Sequence, residues 1–189
     1  FKREAQAAAA LKHDHIVTIY QVDEAQQTLF LAMEFLAGKS LEEWLRPDRR
    51  ATVAETLLIG KQIAKGLAAA HKAGLIHRDI KPGNVRIAPN GQVFLVDFGL
   101  AKIVEGSQLT MTGARAMTPG YSPPEQYRGE ATPLADIYAL GATLHHALSR
   151  RDPRLEPPFS FAERPIRKMN PAVSPELEAV IATALQYNL

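Results

Sequence analysis

Four side chains near the middle of the sequence have the types and the spacing to take part in one reaction. Asp79, Lys81 and Asn84 lie within six residues, and Asp97 follows thirteen residues after Asn84. Amide and carboxylate oxygens are ligands that Mg²⁺ prefers, a carboxylate can accept a hydroxyl proton, and an ammonium group can hold an anion. Each residue alone is more often a turn or cap residue, but the set indicates metal-assisted transfer of an anionic group to a hydroxyl.

Capping signals predict the helices on the N-terminal side of these residues. Ser40-x-x-Glu43 and Thr52-x-x-Glu55 are both capping boxes. They predict a short helix and then a long one that ends near Gly74, because glycine readily adopts the left-handed conformation that follows a helix.

Strands are predicted on both sides of the long helix. Residues 16–22 and 28–35 are rich in β-branched and aromatic side chains. Residues 85–87 and 93–96 flank a Pro-Asn-Gly turn and therefore form a predicted hairpin. Asp97 directly follows the second strand of that hairpin, and Asn84 directly precedes the first.

Helices dominate the C-terminal half of the prediction. Hydrophobic spacing predicts a helix over 134–148, and Ser174-Pro175 begins a closing helix in which Val180 is among the expected buried residues. Five prolines between residues 152 and 173 indicate irregular surface chain. The fold class is therefore α+β, with more helix than strand.

Composition excludes several other classes of protein. The chain has 189 residues, a net charge of +2 and no cysteine, which argues against a strongly basic nucleic-acid binder, a disulfide framework and a cysteine-ligated zinc site. No apolar run approaches the length that spans a bilayer. We expect no nucleic-acid partner, no membrane segment within this sequence and a cytoplasmic location, with any membrane anchor supplied by sequence outside it.

The two motifs, taken together, resemble a known family. The eight residues from His77 to Asn84 (HRDIKPGN) and the triplet Asp97-Phe98-Gly99 resemble the catalytic loop and metal-binding triplet of eukaryotic-type serine/threonine protein kinases, most closely the bacterial branch. The resemblance runs from end to end and implies a protein-kinase-like fold. It divides the chain into an N-lobe remnant (1–35, the regulatory helix and two strands) and a mostly helical C-lobe (36–189).

The resemblance implies roles for the central residues, with ATP and Mg²⁺ as cofactors. Asp79, Lys81, Asn84 and Asp97 are then catalytic: Asn84 and Asp97 hold the metal, Asp79 accepts the hydroxyl proton, and Lys81 holds the γ-phosphate. Lys81 and Thr118 both favour serine or threonine acceptors on protein substrates, with Thr118 positioning the substrate.

Five positions resemble the nucleotide-binding residues of the family: Glu4, Met33, Glu34, Leu36 and Arg86. The backbone of Glu34 and Leu36 would bind adenine, although Met33 could equally be an ordinary core residue. Glu4 resembles the glutamate that pairs with a strand lysine, or it is a first-turn residue favoured by the helix dipole. Arg86 is a departure, because the family more often has an apolar residue beneath adenine, and only its aliphatic stem would serve there.

Six further positions match residues with structural roles, namely His77, Arg78, Phe98, Gly99, Glu125 and Asp136. His77 is expected to pack under Phe98. Asp136 would anchor the catalytic loop, or it is a plain helix cap.

The segment after Asp97 is predicted to regulate the protein. Thr110 and Thr112 match paired threonines that related bacterial kinases autophosphorylate, which favours transient homodimers. A phosphate there would pair with the basic residues Arg78 and Lys102. The alternative is that both threonines are solvated loop residues.

The family's Gly-rich loop and strand lysine are expected before Phe1, so the isolated chain should be weakly active or inactive. Two other function classes stay open. One is a pseudokinase that acts as a scaffold, whose usual mark is loss of Asp79, Asn84 or Asp97; the other is a small-molecule phosphotransferase of related fold.

Overall fold

The computed structural model describes residues 9–25, 28–46, 51–98 and 117–187, which form two small sheets and a larger helical part. The elements, in chain order, are strands β1 (Ile19–Ala25), β2 (Thr28–Met33) and β3 (Lys39–Ser40), helices α1 (Leu41–Trp44) and α2 (Val53–Lys72), strands β4 (Val85–Ile87) and β5 (Val93–Leu95), and helices α3 (Pro124–Tyr127), α4 (Pro133–Ser149), α5 (Ile166–Met169) and α6 (Pro175–Ala184). This mixture of elements agrees with the predicted α+β class.

Both predicted capping boxes are confirmed. The Ser40 and Thr52 side chains accept hydrogen bonds from the backbone N–H groups of Glu43 and Glu55, and each glutamate side chain accepts the N-cap N–H in return. Gly74 follows the end of α2 with a φ of 75°, as a left-handed residue after a helix should.

The two sheets meet along a short stretch of backbone. Strands β1 and β2 pair antiparallel, and β3, β4 and β5 form a separate antiparallel sheet in that order. Val17 N donates to the carbonyl of Leu95 at 3.0 Å, and Leu95 N donates to the carbonyl of His15 at 2.9 Å. The predicted hairpin is confirmed, and Gly91 takes a φ of 83° in its turn.

Two hydrophobic clusters form the core. One includes Ile63, Leu67 and Leu95, where α2 packs against β5. The other lies where α4, α5 and α6 pack together, and it includes Tyr138 and Ile181. The catalytic-loop motif runs between α2 and β4, next to the first cluster.

The C-terminal prediction needs two corrections. Residues 152–173 are not only surface chain, since Phe161, Ile166 and Val173 are buried in the second cluster. Val180 is 66% exposed rather than buried, because only one side of α6 faces α4 and α5. Within the ranges that the structure describes, no helix combines the length and the apolar character needed to cross a membrane.

Candidate active site

A closed set of hydrogen bonds surrounds the carboxylate of Asp79. The hydroxyl of Thr118 donates to Asp79 Oδ1 at 2.7 Å and accepts from Lys81 Nζ at 2.8 Å. Lys81 Nζ also lies 3.0 Å from Asp79 Oδ2, and Asn84 Nδ2 donates to the same oxygen at 2.9 Å. The structure thus brings together four predicted site residues, one of which lies more than thirty residues further along the chain.

The loop that carries Asp79 is tied to α4 through Asp136. The backbone N–H groups of His77 and Arg78 donate to the two carboxylate oxygens of Asp136, each at 2.8 Å. His71 Nε2 lies 2.8 Å from Asp136 Oδ2, and Asp136 is 1% exposed. The N-cap of α4 is Thr132, so Asp136 is not the helix cap that the sequence left open.

Two residues beside the site have strained backbones. Arg78 and Asp97 have φ values of 70° and 57°. These lie in the left-handed region, which residues other than glycine seldom adopt. Such conformations cost on the order of 1–3 kcal/mol each and persist only where neighbours hold them. For Arg78 the holding contacts are visible: besides the bond to Asp136, its carbonyl accepts from Gln126 Nε2 at 2.6 Å.

His77 lies next to Phe98 as a packing residue. Its ring centroid is 4.6 Å from that of Phe98, and its Nε2 lies 3.0 Å from the carbonyl of Val96. Complete burial lowers the pKa of His77 despite the carboxylate of Asp136 nearby. The imidazole is therefore neutral near pH 7 and positions the residues around it.

Asp97 faces a cleft between the two sheets, and the cleft has a volume of about 420 Å³. The cleft is lined by Val17, Met33, Glu34, Phe35, Leu36, Gly83, Arg86, Val96 and Asp97. The neighbouring Val96 N donates to the carbonyl of Asn84 at 3.1 Å, which fixes the start of the Asp97 loop beside the catalytic loop. The carboxylate of Asp97 and the group around Asp79 thus lie on neighbouring pieces of backbone.

The donor set suits a hard divalent cation such as Mg²⁺. Asn84 Nδ2 is committed to the carbonyl and carboxylate of Asp79, which leaves the amide oxygen of Asn84 on the other side of the group. Asp97 is exposed to the cleft. Over the described ranges no cluster of three or more His, Cys, Asp or Glu residues could hold a metal by itself, so an ion here would share one amide oxygen, one carboxylate and ligands from a bound molecule.

The segment from Met33 to Leu36 forms one edge of the cleft. Met33 lines the cleft and is 36% exposed, so it is not an ordinary core residue. Glu34 N donates to the carbonyl of Thr18 at 2.8 Å. The carbonyl of Leu36 accepts from Arg86 Nη2 at 3.1 Å, so the guanidinium of Arg86 is bonded to this edge of the cleft.

The segment that carries Thr118 is fixed by its close approach to the loop after α4. Gly120 has a φ of 85°, and a Cβ built there would lie 2.6 Å from the carbonyl oxygen of Pro153. The hydroxyl of Tyr121 lies 2.7 Å from His146 Nδ1. A residue with a side chain at position 120 would therefore displace the segment.

Five residues of the sequence prediction, namely Glu4, Gly99, Lys102, Thr110 and Thr112, lie outside the described residues. Glu125 Oε2 is buried, with no hydrogen-bond partner among the parts of the chain that the structure describes.

Sequence reasoning missed the contributions of His71 and Gln126. His71 sits on α2 and contacts the same Asp136 oxygen as the backbone N–H of His77, and Gln126 donates to the carbonyl of Arg78. Neither residue belongs to a motif. Their contacts join positions 65 and 48 residues apart, so no local pattern in the sequence could have indicated them.

Comparison with known proteins gives a consistent answer. The family model described as the protein kinase domain matches residues 1–173. Serine/threonine-protein kinase PknA of Mycobacterium tuberculosis is 34% identical over 196 residues, which cover the whole chain and 46% of the relative. The probable serine/threonine-protein kinase SCO3848 of Streptomyces coelicolor is 36% identical, with 98% of the chain and 30% of the relative covered. Serine/threonine-protein kinase PrkC of Bacillus subtilis is 35% identical, with 97% and 30% covered.

These matches confirm the resemblance and the kinase-like fold that the motifs predicted. The chain spans less than half the length of each of the three relatives.

Proposed function

Because this chain belongs to the protein kinase domain family, we propose that the protein transfers the γ-phosphoryl group of ATP to serine or threonine hydroxyls of protein substrates. The observation that carries the proposal is the hydrogen-bonded set of Asp79, Lys81, Asn84 and Thr118. It combines a base, a cation and an amide ligand beside a cleft of a size that suits a nucleotide.

Each residue has a role that its contacts support. Asp79 accepts the proton of the substrate hydroxyl as that oxygen forms a bond to the γ-phosphorus and the bond to the β–γ bridging oxygen breaks, which releases ADP. Lys81 stabilises the negative charge on the transferred group. Thr118, held between Asp79 and Lys81, keeps both groups in the orientation that the acceptor requires.

The cleft residues hold the nucleotide in this proposal. Glu34 N is already bonded to Thr18, so adenine would meet the carbonyl of Glu34 and the N–H of Leu36. Mg²⁺ bound by Asn84 and Asp97 would neutralise phosphate charge, which is the chemistry that the metal supplies to such transfers.

A scaffold without catalytic activity finds no support. Asp79, Asn84 and Asp97 are all present, and the relatives carry the names of serine/threonine kinases. Autophosphorylation of Thr110 and Thr112 through transient homodimers and a cytoplasmic location stay predictions from the sequence.

The test is transfer of labelled phosphate from ATP to dephosphorylated casein by the full-length protein that carries this chain. We expect Asp79→Asn and Asp97→Asn to lower kcat by at least about 100-fold, because each removes a charged group from the reacting centre. Asp14→Asn is the matched control, since Asp14 is exposed and lies outside the site.

Phosphoamino-acid analysis of the product should show phosphoserine or phosphothreonine. If the Asp79→Asn variant were as active as the Asp14→Asn control, the result would contradict the proposal. Phosphorylation of a sugar in place of casein would favour the small-molecule phosphotransferase.

A further inference from the structure

Arg86 makes more contacts than a residue that only lines a cleft. It lies on β4 opposite Ser40 of β3, and its side chain turns back toward the segment that precedes β3. Arg86 Nη2 donates to the carbonyls of Leu36 and Gly38, each at 3.1 Å. One guanidinium nitrogen thus binds two backbone groups of the cleft edge.

The other terminal nitrogen of the guanidinium faces a fixed carboxylate. Arg86 Nη1 lies 3.9 Å from Glu43 Oε2. That oxygen accepts from Ser40 N at 2.7 Å and from the Ser40 hydroxyl at 3.1 Å as part of the capping box of α1. These bonds limit how far the carboxylate can move, so Arg86 has a weak ion pair on this side in addition to its two backbone hydrogen bonds.

At Gly38 the backbone of the cleft edge lies in close contact with the backbone of β4. Gly38 has a φ of 109°, and the space that a Cβ would need is filled by the carbonyl oxygen of Ile87 on β4. The cleft edge (36–38) and the strand beneath it therefore approach as closely as backbone allows. The Arg86 bonds span this contact and hold its two sides together.

We infer that Arg86 is a positioning residue for the nucleotide: its guanidinium fixes the cleft edge at 36–38 over β4, while its stem lies along the cleft. The choice of a nucleotide as the ligand rests on the proposed function. The placement of the guanidinium rests only on the contacts described above. The inference assigns the guanidinium a task distinct from that of the stem, which alone would only replace an apolar surface.

The variant that separates the two tasks is Arg86→Met. Methionine keeps an unbranched apolar stem and loses every donor. Arg128→Met is the matched control, because Arg128 is 53% exposed and pairs only loosely with Glu130, at 3.8 Å. Both variants are compared with wild type in the full-length protein by two measurements.

The first measurement needs no nucleotide. Hydrogen exchange followed by mass spectrometry should show at least about threefold faster exchange for peptides covering residues 36–40 in Arg86→Met, since donors that fix this segment are gone. Arg128→Met should exchange there at the wild-type rate. Equal exchange in all three proteins would overturn the inference.

The second measurement tests positioning. The Kd of a fluorescent ATP analogue and the KM for ATP should rise about 3- to 10-fold in Arg86→Met, the size expected for the net contribution of an ordinary hydrogen bond, because the lost bonds act on the cleft edge and not on the nucleotide itself. We expect kcat to stay within about twofold. Binding equal to or tighter than wild type would show that the stem alone matters and would overturn the inference.

The outcomes also separate the two proposals. If wild type binds no nucleotide and transfers no phosphate, the proposed function fails, whereas faster exchange at 36–40 in Arg86→Met would still support the guanidinium contact. If wild type is active and Arg86→Met matches it in both measurements, only the inference about Arg86 fails.

Discussion

The helical part and the β1–β2 sheet differ in how much of their side chains is exposed to solvent. Around α2 and α4 even a carboxylate, Asp136, is 1% exposed and has hydrogen-bond partners on both oxygens. On or beside the sheet, Tyr20, Phe30 and Phe35 are 68%, 40% and 90% exposed. The groups proposed for the acceptor hydroxyl belong to the well-packed region, while residues on or beside the sparsely covered sheet line much of the proposed nucleotide cleft.

The largest difference between the regions should appear in hydrogen exchange of the 189-residue chain. A two-stranded sheet is marginally stable by itself, so we expect amides of β1 and β2 to exchange at least about 1000-fold faster than those of α2 and α4. Mass spectrometry of peptides from both regions measures this. Equal protection of sheet and helices would remove the contrast.

Loss of the Asp136 carboxylate should be one of the more damaging single changes in the helical part. Asp136→Ala leaves the buried N–H groups of His77 and Arg78 without their acceptors, and we expect a loss of about 3 kcal/mol in the free energy of unfolding. Asp136→Asn retains one oxygen acceptor and should cost less. Urea unfolding measures both, with the exposed Glu130→Ala as the control. A change below about 1 kcal/mol in Asp136→Ala would argue that the loop is held by other contacts.

Buried histidines should make the helical part sensitive to mild acid. Burial lowers the pKa of His77 and of His145, so the unfolded chain binds more protons below its ordinary pKa of about 6.5. The stability from these neutral rings is present above that pH and is lost as the pH falls toward the lowered pKa of the folded ring, by at most about 1 kcal/mol per pH unit for each histidine. Urea unfolding between pH 7 and 5 measures the slope, which His145→Gln should reduce. If His145→Gln and wild type had the same slope, burial of the neutral His145 ring would not be a source of the pH dependence.

The smallest effect is expected at the exposed end of the β1–β2 sheet. Phe35→Ser should change the free energy of unfolding by less than about 0.5 kcal/mol, because the side chain is 90% exposed. Ile63→Ala in α2, which is fully buried, should cost about 2–5 kcal/mol in the same urea titration. A Phe35 variant as costly as the Ile63 variant would show that the sheet is covered after all.

Local signals predicted those parts of the fold that local chemistry determines. Capping at Ser40 and Thr52 and the turn at Gly91 depend on residues within a few positions of each other, and all three appear where the sequence places them. The packing of residues 152–173 did not follow, because their prolines indicate irregular backbone but not whether a neighbouring helix covers it. Val180 shows the same limit. Periodicity predicts that a helix has an apolar face, but it does not show how much of that face a neighbouring helix covers.

The candidate site divides in the same way. Its members in the catalytic loop, Asp79, Lys81 and Asn84, form a motif that the sequence shows directly. Thr118 was expected only from the family resemblance, and its contact with Asp79 spans 39 residues. The guanidinium contacts of Arg86 had no sequence signal, because an arginine where the family favours an apolar residue indicates a departure without indicating a partner.

Gly120 carries a consequence for attempts to change the acceptors of the proposed transfer reaction. Its backbone lies against the carbonyl of Pro153, so a library that randomises position 120 should return few folded members besides glycine. The neighbouring Tyr121 offers no easier position, because its side chain is buried and its hydroxyl lies 2.7 Å from His146 Nδ1. Directed evolution from this sequence would therefore start with fewer adjustable positions near Thr118 than the length of its loop suggests.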